Sequence, residues 1–167
     1  ANGVWRNGEG NIDGGRQRLG LGSLGLDYAG TRLRASADLL YSEGTNHSFR
    51  PQAAFLDGIT QVPAVPDPRK SFYPGANMSD KAKTAMTRLE YDVTDRTTVY
   101  GAVGYSEVNS QQNFPTAATR INSAGDFTVR NGYYDEYNKT TSGDAGVRTR
   151  FSTGPVNHTA VLAANFM

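Results

Sequence analysis

The sequence has no cysteine. That excludes a disulfide scaffold and any thiolate metal site, and it says little about compartment. It has no apolar run near the roughly 20 residues that a membrane helix needs. It has no excess of one charge, with 17 Lys+Arg against 16 Asp+Glu, and no basic cluster stands out. Nothing therefore argues for a nucleic-acid partner. Histidine is scarce: His47 and His158 lack the helical spacing or carboxylate company of metal ligands, so no metal site is expected. Helical periodicity is hard to find. The opening "ANGVWRNGEGNIDGG" lacks the basic, apolar and cleavage regions of a signal peptide. It reads as an internal cut, with residues 1–15 as the tail of a long loop. No composition break divides the chain, so residues 1–167 form one domain or part of one.

What is present is period-two alternation. In "TRLRASADLLY", Leu33, Ala35, Ala37, Leu39 and Tyr41 alternate with Arg32, Arg34, Ser36 and Asp38. Side chains of a strand point to its two faces in turn, so the segment has one apolar and one charged face. "KTAMTRLEYDV" sets Ala85, Thr87, Leu89, Tyr91 and Val93 against Met86, Arg88, Glu90 and Asp92. "DAGVRTRF" sets Ala145, Val147 and Phe151 against Asp144, Arg148 and Arg150. In "TTVYGAVGYSEV" the preferred outer set is Val99, Val103 and Tyr105, and "HTAVLAANF" sorts only weakly. "QRLGLGSLGLDY" changes phase between Leu21 and Leu24, which reads as a glycine-assisted bulge. The expectation is six strands, at 16–28, 32–43, 81–93, 97–108, 139–151 and 156–167.

Connections alternate in length. Turns at Ala29-Gly30, Thr94-Asp95 and 152–155 carry hairpin residues. Residues 44–80 and 109–138 are long and rich in Pro, Gly, Asn and aromatics. Such loops are uncommon in compact soluble domains. Short turns at one rim and long loops at the other are the plan of an outer-membrane barrel. Alternation alone serves a soluble sheet, with its charged face in water, equally well. Six strands are fewer than the eight or so of the smallest single-chain barrels, and an open edge is not viable in lipid. In lipid the chain must therefore be part of a larger wall.

The chemical motifs are weak. "GLGSLG" (Gly20, Gly22, Gly25) matches a dinucleotide fingerprint. However, a turn and further alternation follow it where a helix is needed. No G-x-S-x-G elbow is present. Asp135 and Glu136 are adjacent acids of a solvated loop, and the N-x-S/T triplets at Asn46, Asn77, Asn138 and Asn157 read as chance. The chain is not expected to be an enzyme.

The ordered phrases "RLGLGSLGLDYAGTRLRASADLLYSEG", "PAVPDP", "TRLEYDVTDRTTVYGAVGYS" and "GVRTRFSTGPVNHTAVLAANF" resemble the TonB-dependent siderophore receptors of Gram-negative outer membranes. The resemblance runs over nearly the whole chain from Arg16 onward. It implies an all-β fold, a barrel of about 22 strands whose lumen is plugged. This chain would supply six consecutive up-and-down strands with short periplasmic turns and long extracellular loops. It implies import of ferric siderophores with TonB-derived energy, in the cell outer membrane. The partners implied are the ferric siderophore, outer-membrane lipid, and the TonB complex through a plug domain outside this chain. No cofactor is implied, iron being only siderophore-bound cargo.

On that reading Arg32, Arg34, Asp38, Arg88, Glu90, Asp92, Asp144, Arg148 and Arg150 face the lumen. Leu33, Leu39, Leu89, Tyr91, Val147 and Phe151 face lipid. Ligand candidates are the loop aromatics Phe72, Tyr73, Phe114, Tyr133 and Tyr134, with Arg69 and Arg130 to attract an anionic ferric chelate. Phe49, Phe55, Tyr137, Lys70 and Arg120 lie in the same segments. The other reading of these aromatics is loop packing or a membrane-edge girdle. The alternative for the whole chain is a soluble β-sheet binding module with long recognition loops.

Overall fold

The computed structural model describes residues 1–49, 54–65, 67–71, 73, 75–115 and 120–167. The alternating segments pair into one antiparallel sheet. Its strands are β1 (Asn2–Glu9), β2 (Arg16–Ala29), β3 (Leu33–His47), β5 (Asn77–Thr94), β6 (Thr97–Pro115), β8 (Asn131–Thr153) and β9 (Val156–Phe166). Each is bonded to its neighbour in sequence, with β1 and β9 at the edges. Two short strands, β4 (Ala54–Phe55) and β7 (Arg120–Ile121), pair in parallel apart from it.

Nine strands are therefore described where six were expected. Residues 2–9 are not loop: they form β1, in register with β2 from Asn2↔Ser23 to Glu9↔Arg16. The regions read as long loops are also shorter, because the strands run on past the alternating segments. Residues 44–47, 77–80, 109–115 and 131–138 are all paired. The expected bulge near Leu21–Leu24 is absent, since β2 and β3 stay in register from Arg16↔His47 to Ala29↔Arg34. The register shift falls instead at Asp92/Thr94, beside a turn.

The three short turns share one end of the sheet. The Gly30 amide donates to the Leu33 carbonyl at 2.7 Å. Thr94 Oγ1 accepts from the Arg96 and Thr97 amides at 3.2 and 3.0 Å. Gly154 supplies a left-handed φ of 59°, which a side chain disfavours. At the other end lie the 10–15 turn and the described residues of 48–76 and 120–130.

Directly paired residues share a face, so the register sorts the side chains. One face carries Leu24, Leu26, Tyr28, Leu33, Leu39, Leu89, Tyr91, Val99, Val103, Val147, Phe151 and Leu162. These residues stay exposed; Leu162 is 80% accessible and Leu26 59%. Among the described residues the buried apolar side chains are Ile12, Ala76 and Pro115. The sheet is thus a single layer with no core on either side. So broad an exposed apolar face marks a surface that another phase or partner covers.

Strand length fits one phase change along each strand. From Leu33 to Tyr41 the apolar positions run about 27 Å along β3, or roughly 20 Å of height at a barrel's tilt, close to the usual apolar band. Beyond it the same face turns to Glu43, Lys81, Lys83, Glu107 and Lys139. β8, with 23 residues, far exceeds the roughly 9–11 that span a bilayer. Its first half therefore runs on beyond the apolar stretch of the face.

Candidate functional site

The opposite face holds the polar chemistry. Charges two residues apart on one strand meet their counterparts on the next, because register sets Arg34 beside Glu90 and Thr98 beside both Asp92 and Arg148. Arg34 donates a two-pronged bond to Asp92, at 2.7 and 2.8 Å, and its Nε donates to Glu90 at 3.3 Å. Arg88 donates to Glu90 at 3.0 Å, and Arg148 stands 4.0 Å from the same carboxylate. The Thr98 hydroxyl donates to Asp92 at 2.7 Å. The guanidinium of Arg88 lies 5.2 Å from the Tyr100 ring centroid. That ring covers Gly146, where a Cβ would stand 2.6 Å from it. Four adjacent strands, β3, β5, β6 and β8, are laced together near the short turns.

Farther along this face lies a hollow of about 390 Å³ bounded by Ser36, Asp38, Arg88, Ala102, Gly104 and Asp144. Small side chains at its floor keep it open. Nearer the long segments a second cavity, about 500 Å³, is lined by Arg6, Gln17, Asn46, Met78 and Asp80, among others. Beside it Ser110, only 8% exposed, donates to Asp80 and accepts from Gln112 Nε2 at 2.8 Å. Arg6, on β1, has no place in the sequence reading, which expects residues 1–15 to be the tail of a loop.

The segments at this rim are joined to one another. Arg69 donates to Asp13 Oδ1 through Nε at 3.0 Å and a terminal nitrogen at 2.7 Å. The Asp13 amide donates back to the Arg69 carbonyl at 2.7 Å. β4 and β7 tie Ala54–Phe55 to Arg120–Ile121, and the Leu56 amide extends the ladder to the Ile121 carbonyl at 3.0 Å. Asn122 Oδ1 accepts the amides of Ala124 and Asp126, both at 2.9 Å, which closes the turn after β7.

The ligand candidates are partly gathered. Phe114, Tyr133 and Tyr134 lie on the paired end of β6 and β8, and Arg130 immediately precedes β8. The two tyrosines are on strand, not loop, and so point to opposite faces. Tyr133 shares the face of Leu39, and Tyr134 shares the polar face, opposite Gln112. Arg69 is occupied by Asp13. Tyr73 is half-buried, its amide donating to Ser71 Oγ at 3.1 Å. Phe72 lies outside the described residues, as does the side chain of Phe114.

Of the charged set, Arg34, Asp38, Arg88, Glu90, Asp144, Arg148 and Arg150 share the polar face. Arg150 donates to the Asp95 carbonyl at 3.0 Å and stands at the turn end. Arg32 sits in the turn before β3, its carbonyl accepting the Asp92 amide at 2.8 Å. "GLGSLG" runs through the middle of β2 with no helix after it, so it makes no dinucleotide loop. His158 stacks on Phe151 at 5.0 Å. Among the described residues no cluster of His, Asp and Glu could hold a metal ion, and no helix is long and apolar enough to cross a membrane.

An antiparallel sheet with one apolar and one charged face, and with its short turns at one end, has the form of a segment of barrel wall. No family model matches the chain. It is 35% identical over 164 residues to the ferrichrome receptor FcuA of Yersinia enterocolitica, covering 96% of this chain and 21% of that protein. It superposes on the crystal structure of BauA, the ferric preacinetobactin receptor of Acinetobacter baumannii. There the TM-score is 0.88 with 27% identity, over 98% of this chain and 24% of that one. The ferric-catecholate import receptor Fiu of E. coli K12 shares the fold, with a TM-score of 0.73 and 17% identity over 98% and 28% of the two chains. The chain is homologous to the TonB-dependent ferric-siderophore receptors of the outer membrane. It spans between about a fifth and somewhat over a quarter of the length of the relatives it matches.

Proposed function

We propose that the chain is a stretch of wall and rim in a receptor that binds ferric siderophores and imports them with TonB-derived energy. The observation that carries this is 35% identity to a ferrichrome receptor along 96% of the chain, in a sheet apolar on one face and charged on the other. The apolar face meets lipid. The face of Arg34, Asp38, Arg88, Glu90, Asp144, Arg148 and Arg150 looks into the lumen, with Arg32 at its mouth. An arginine on the lipid side would cost about 2–4 kcal/mol at the midplane, whereas a lumen offers water and polar partners. The short turns are periplasmic and the rim segments extracellular. β1 and β9 pair with flanking strands of the same barrel, since open edges have no place in lipid.

Residues 1–167 thus act as a partial barrel domain, with plug and TonB contact supplied outside them. The chain's part is binding and passage, not catalysis. Iron travels only as the siderophore complex. Its ligand contacts come from the rim: Tyr134, Gln112 and Phe114 at the paired end of β6 and β8, Arg6 and Asn46 around the adjoining cavity, with Phe72, Tyr73, Arg69 and Arg130 in the segments above; Tyr133, on the outward face, stands outside this set. The test is uptake of radioactive iron by cells whose sole siderophore receptor contains this chain, across hydroxamate, catecholate and mixed-ligand ferric chelates. Energy-dependent uptake of at least one chelate, weakened by Arg6→Ala/Tyr134→Ala, is expected. No uptake of any chelate, with the receptor present in the membrane, overturns the proposal.

A further inference from the structure

On the polar face, register lays Arg6, Leu19, Gly44, Asp80, Ser110 and Glu136 in one rung across six strands. The next rung toward the rim carries Gln17, Asn46, Gln112 and Tyr134. The charges on these two rungs are the Asp80 and Glu136 carboxylates and the Arg6 guanidinium; the rest of their polar chemistry is amide and hydroxyl. Lys81, Lys83 and Lys139 stand on the opposite face. In the segments above, Asp13 holds Arg69, Arg120 stands 3.7 Å from Asp57, and Arg130 precedes β8. Ser110 orders the middle of this wall. An ionised Asp80 can only accept, so the Ser110 proton goes to it, and the Ser110 oxygen accepts from Gln112 Nε2 at 2.8 Å. That bond turns the Gln112 carbonyl oxygen away from Ser110, where it is an acceptor. β5, β6 and β8 thus meet a ligand with negative charge and acceptors.

We propose that this wall selects ferric chelates by charge, admitting uncharged ferric trishydroxamates and turning away anionic ferric tris-catecholates. The proposal rests on the reading of the rim as the ferric-siderophore site. Hydroxamates are monoanions, so three of them neutralise ferric iron; catecholates are dianions, so three of them leave a trianion. Asp80 and Glu136 repel that trianion, and a built-in repulsion discriminates as well as an added contact does. A chelate whose backbone carries N–H donors finds acceptors at Asp80 and Gln112. Ser110 is the positioning residue, because it decides which end of the Gln112 amide is offered.

The test is calorimetric titration of the intact receptor in bilayer discs with two ferric chelates built on one tripodal scaffold, a trishydroxamate and a tris-catecholate. The trishydroxamate should bind at least about tenfold tighter. Glu136→Lys, a change at an exposed position, should tighten the tris-catecholate about tenfold and alter the trishydroxamate less than about twofold. Ser110→Ala should narrow the gap between the chelates about threefold, and Ser110→Thr, which keeps the hydroxyl, should restore it. Tighter or equal binding of the tris-catecholate by the unsubstituted receptor overturns the proposal, as does its indifference to Glu136→Lys. Equal loss of both chelates in Ser110→Ala would overturn the role given to Ser110. Binding of neither chelate would refute the receptor reading itself, and this selection with it.

Discussion

Gly146→Ala tests the packing that holds β6, β8 and β9 together. Gly146 lies opposite Tyr100, and an added Cβ would stand 2.6 Å from the Tyr100 ring and 2.8 Å from the Leu162 carbonyl oxygen. The ring is no free end, because Arg88 lies against it at 5.2 Å. Turning it off its rotamer costs about 0.5–1.5 kcal/mol, and losing the cation contact about 0.5–1 kcal/mol. The Leu162 carbonyl is backbone and yields only if β9 shifts, so overpacking of about 1 kcal/mol or more remains. The expected loss is about 2–4 kcal/mol, read as a lower urea midpoint at constant slope for the intact receptor in phospholipid bilayers. Tyr100→Ala removes the ring, so the double variant should be at least about 1 kcal/mol more stable than the sum of the singles requires. Additivity within about 0.5 kcal/mol would show that the ring does not cover Gly146 and would refute the reasoning.

Arg34→Lys keeps the charge but loses the fork on Asp92. The receptor should then unfold at a lower temperature in heat-modifiability gels, while Arg32→Lys, in the turn, leaves that temperature unchanged. Ser110→Ala strands Asp80 and Gln112 and should lower stability by about 1–3 kcal/mol in the same urea assay; no shift would mean that water replaces the hydroxyl. Asp13→Ala releases Arg69 from its clasp, and trypsin should cut after Arg69 and Lys70 several-fold faster on intact cells. An unchanged rate would show that the clasp does not hold segment 48–76.

The legible parts of the fold were those that lipid or a core would sort. β3, β5 and the second half of β8 alternate cleanly because one face of each is apolar. Once a strand passes the apolar band, both faces become polar and the pattern vanishes, although the backbone ladder continues. That is why 109–115 and 131–138 read as loop, and why Tyr133 and Tyr134 are expected among the loop aromatics. β1 failed for a related reason. Val4 and Trp5 are adjacent, hence on opposite faces, and Gly3 and Gly8 dilute the rest; its place comes from pairing with β2. The phase change at Leu21–Leu24 is no bulge. It is one regular strand whose apolar residues swap faces, Leu19 and Leu21 standing on the polar face and Leu19 lining the rim cavity. Charge alternation showed the polar face, but which carboxylate Arg34 grips depends on register. The Asp13–Arg69 clasp joins residues that share no local pattern.

The account stands on which face of the sheet meets lipid. Nitroxide labels placed singly at Leu39, Leu89 and Val147, and at Met86, Ala102 and Ser142, in the intact receptor in bilayers measure this directly. The account predicts high oxygen and low polar-relaxant accessibility at the first three, and the reverse at the second. Oxygen-rich labels at Met86, Ala102 and Ser142, with water-accessible ones at Leu39, Leu89 and Val147, would contradict it.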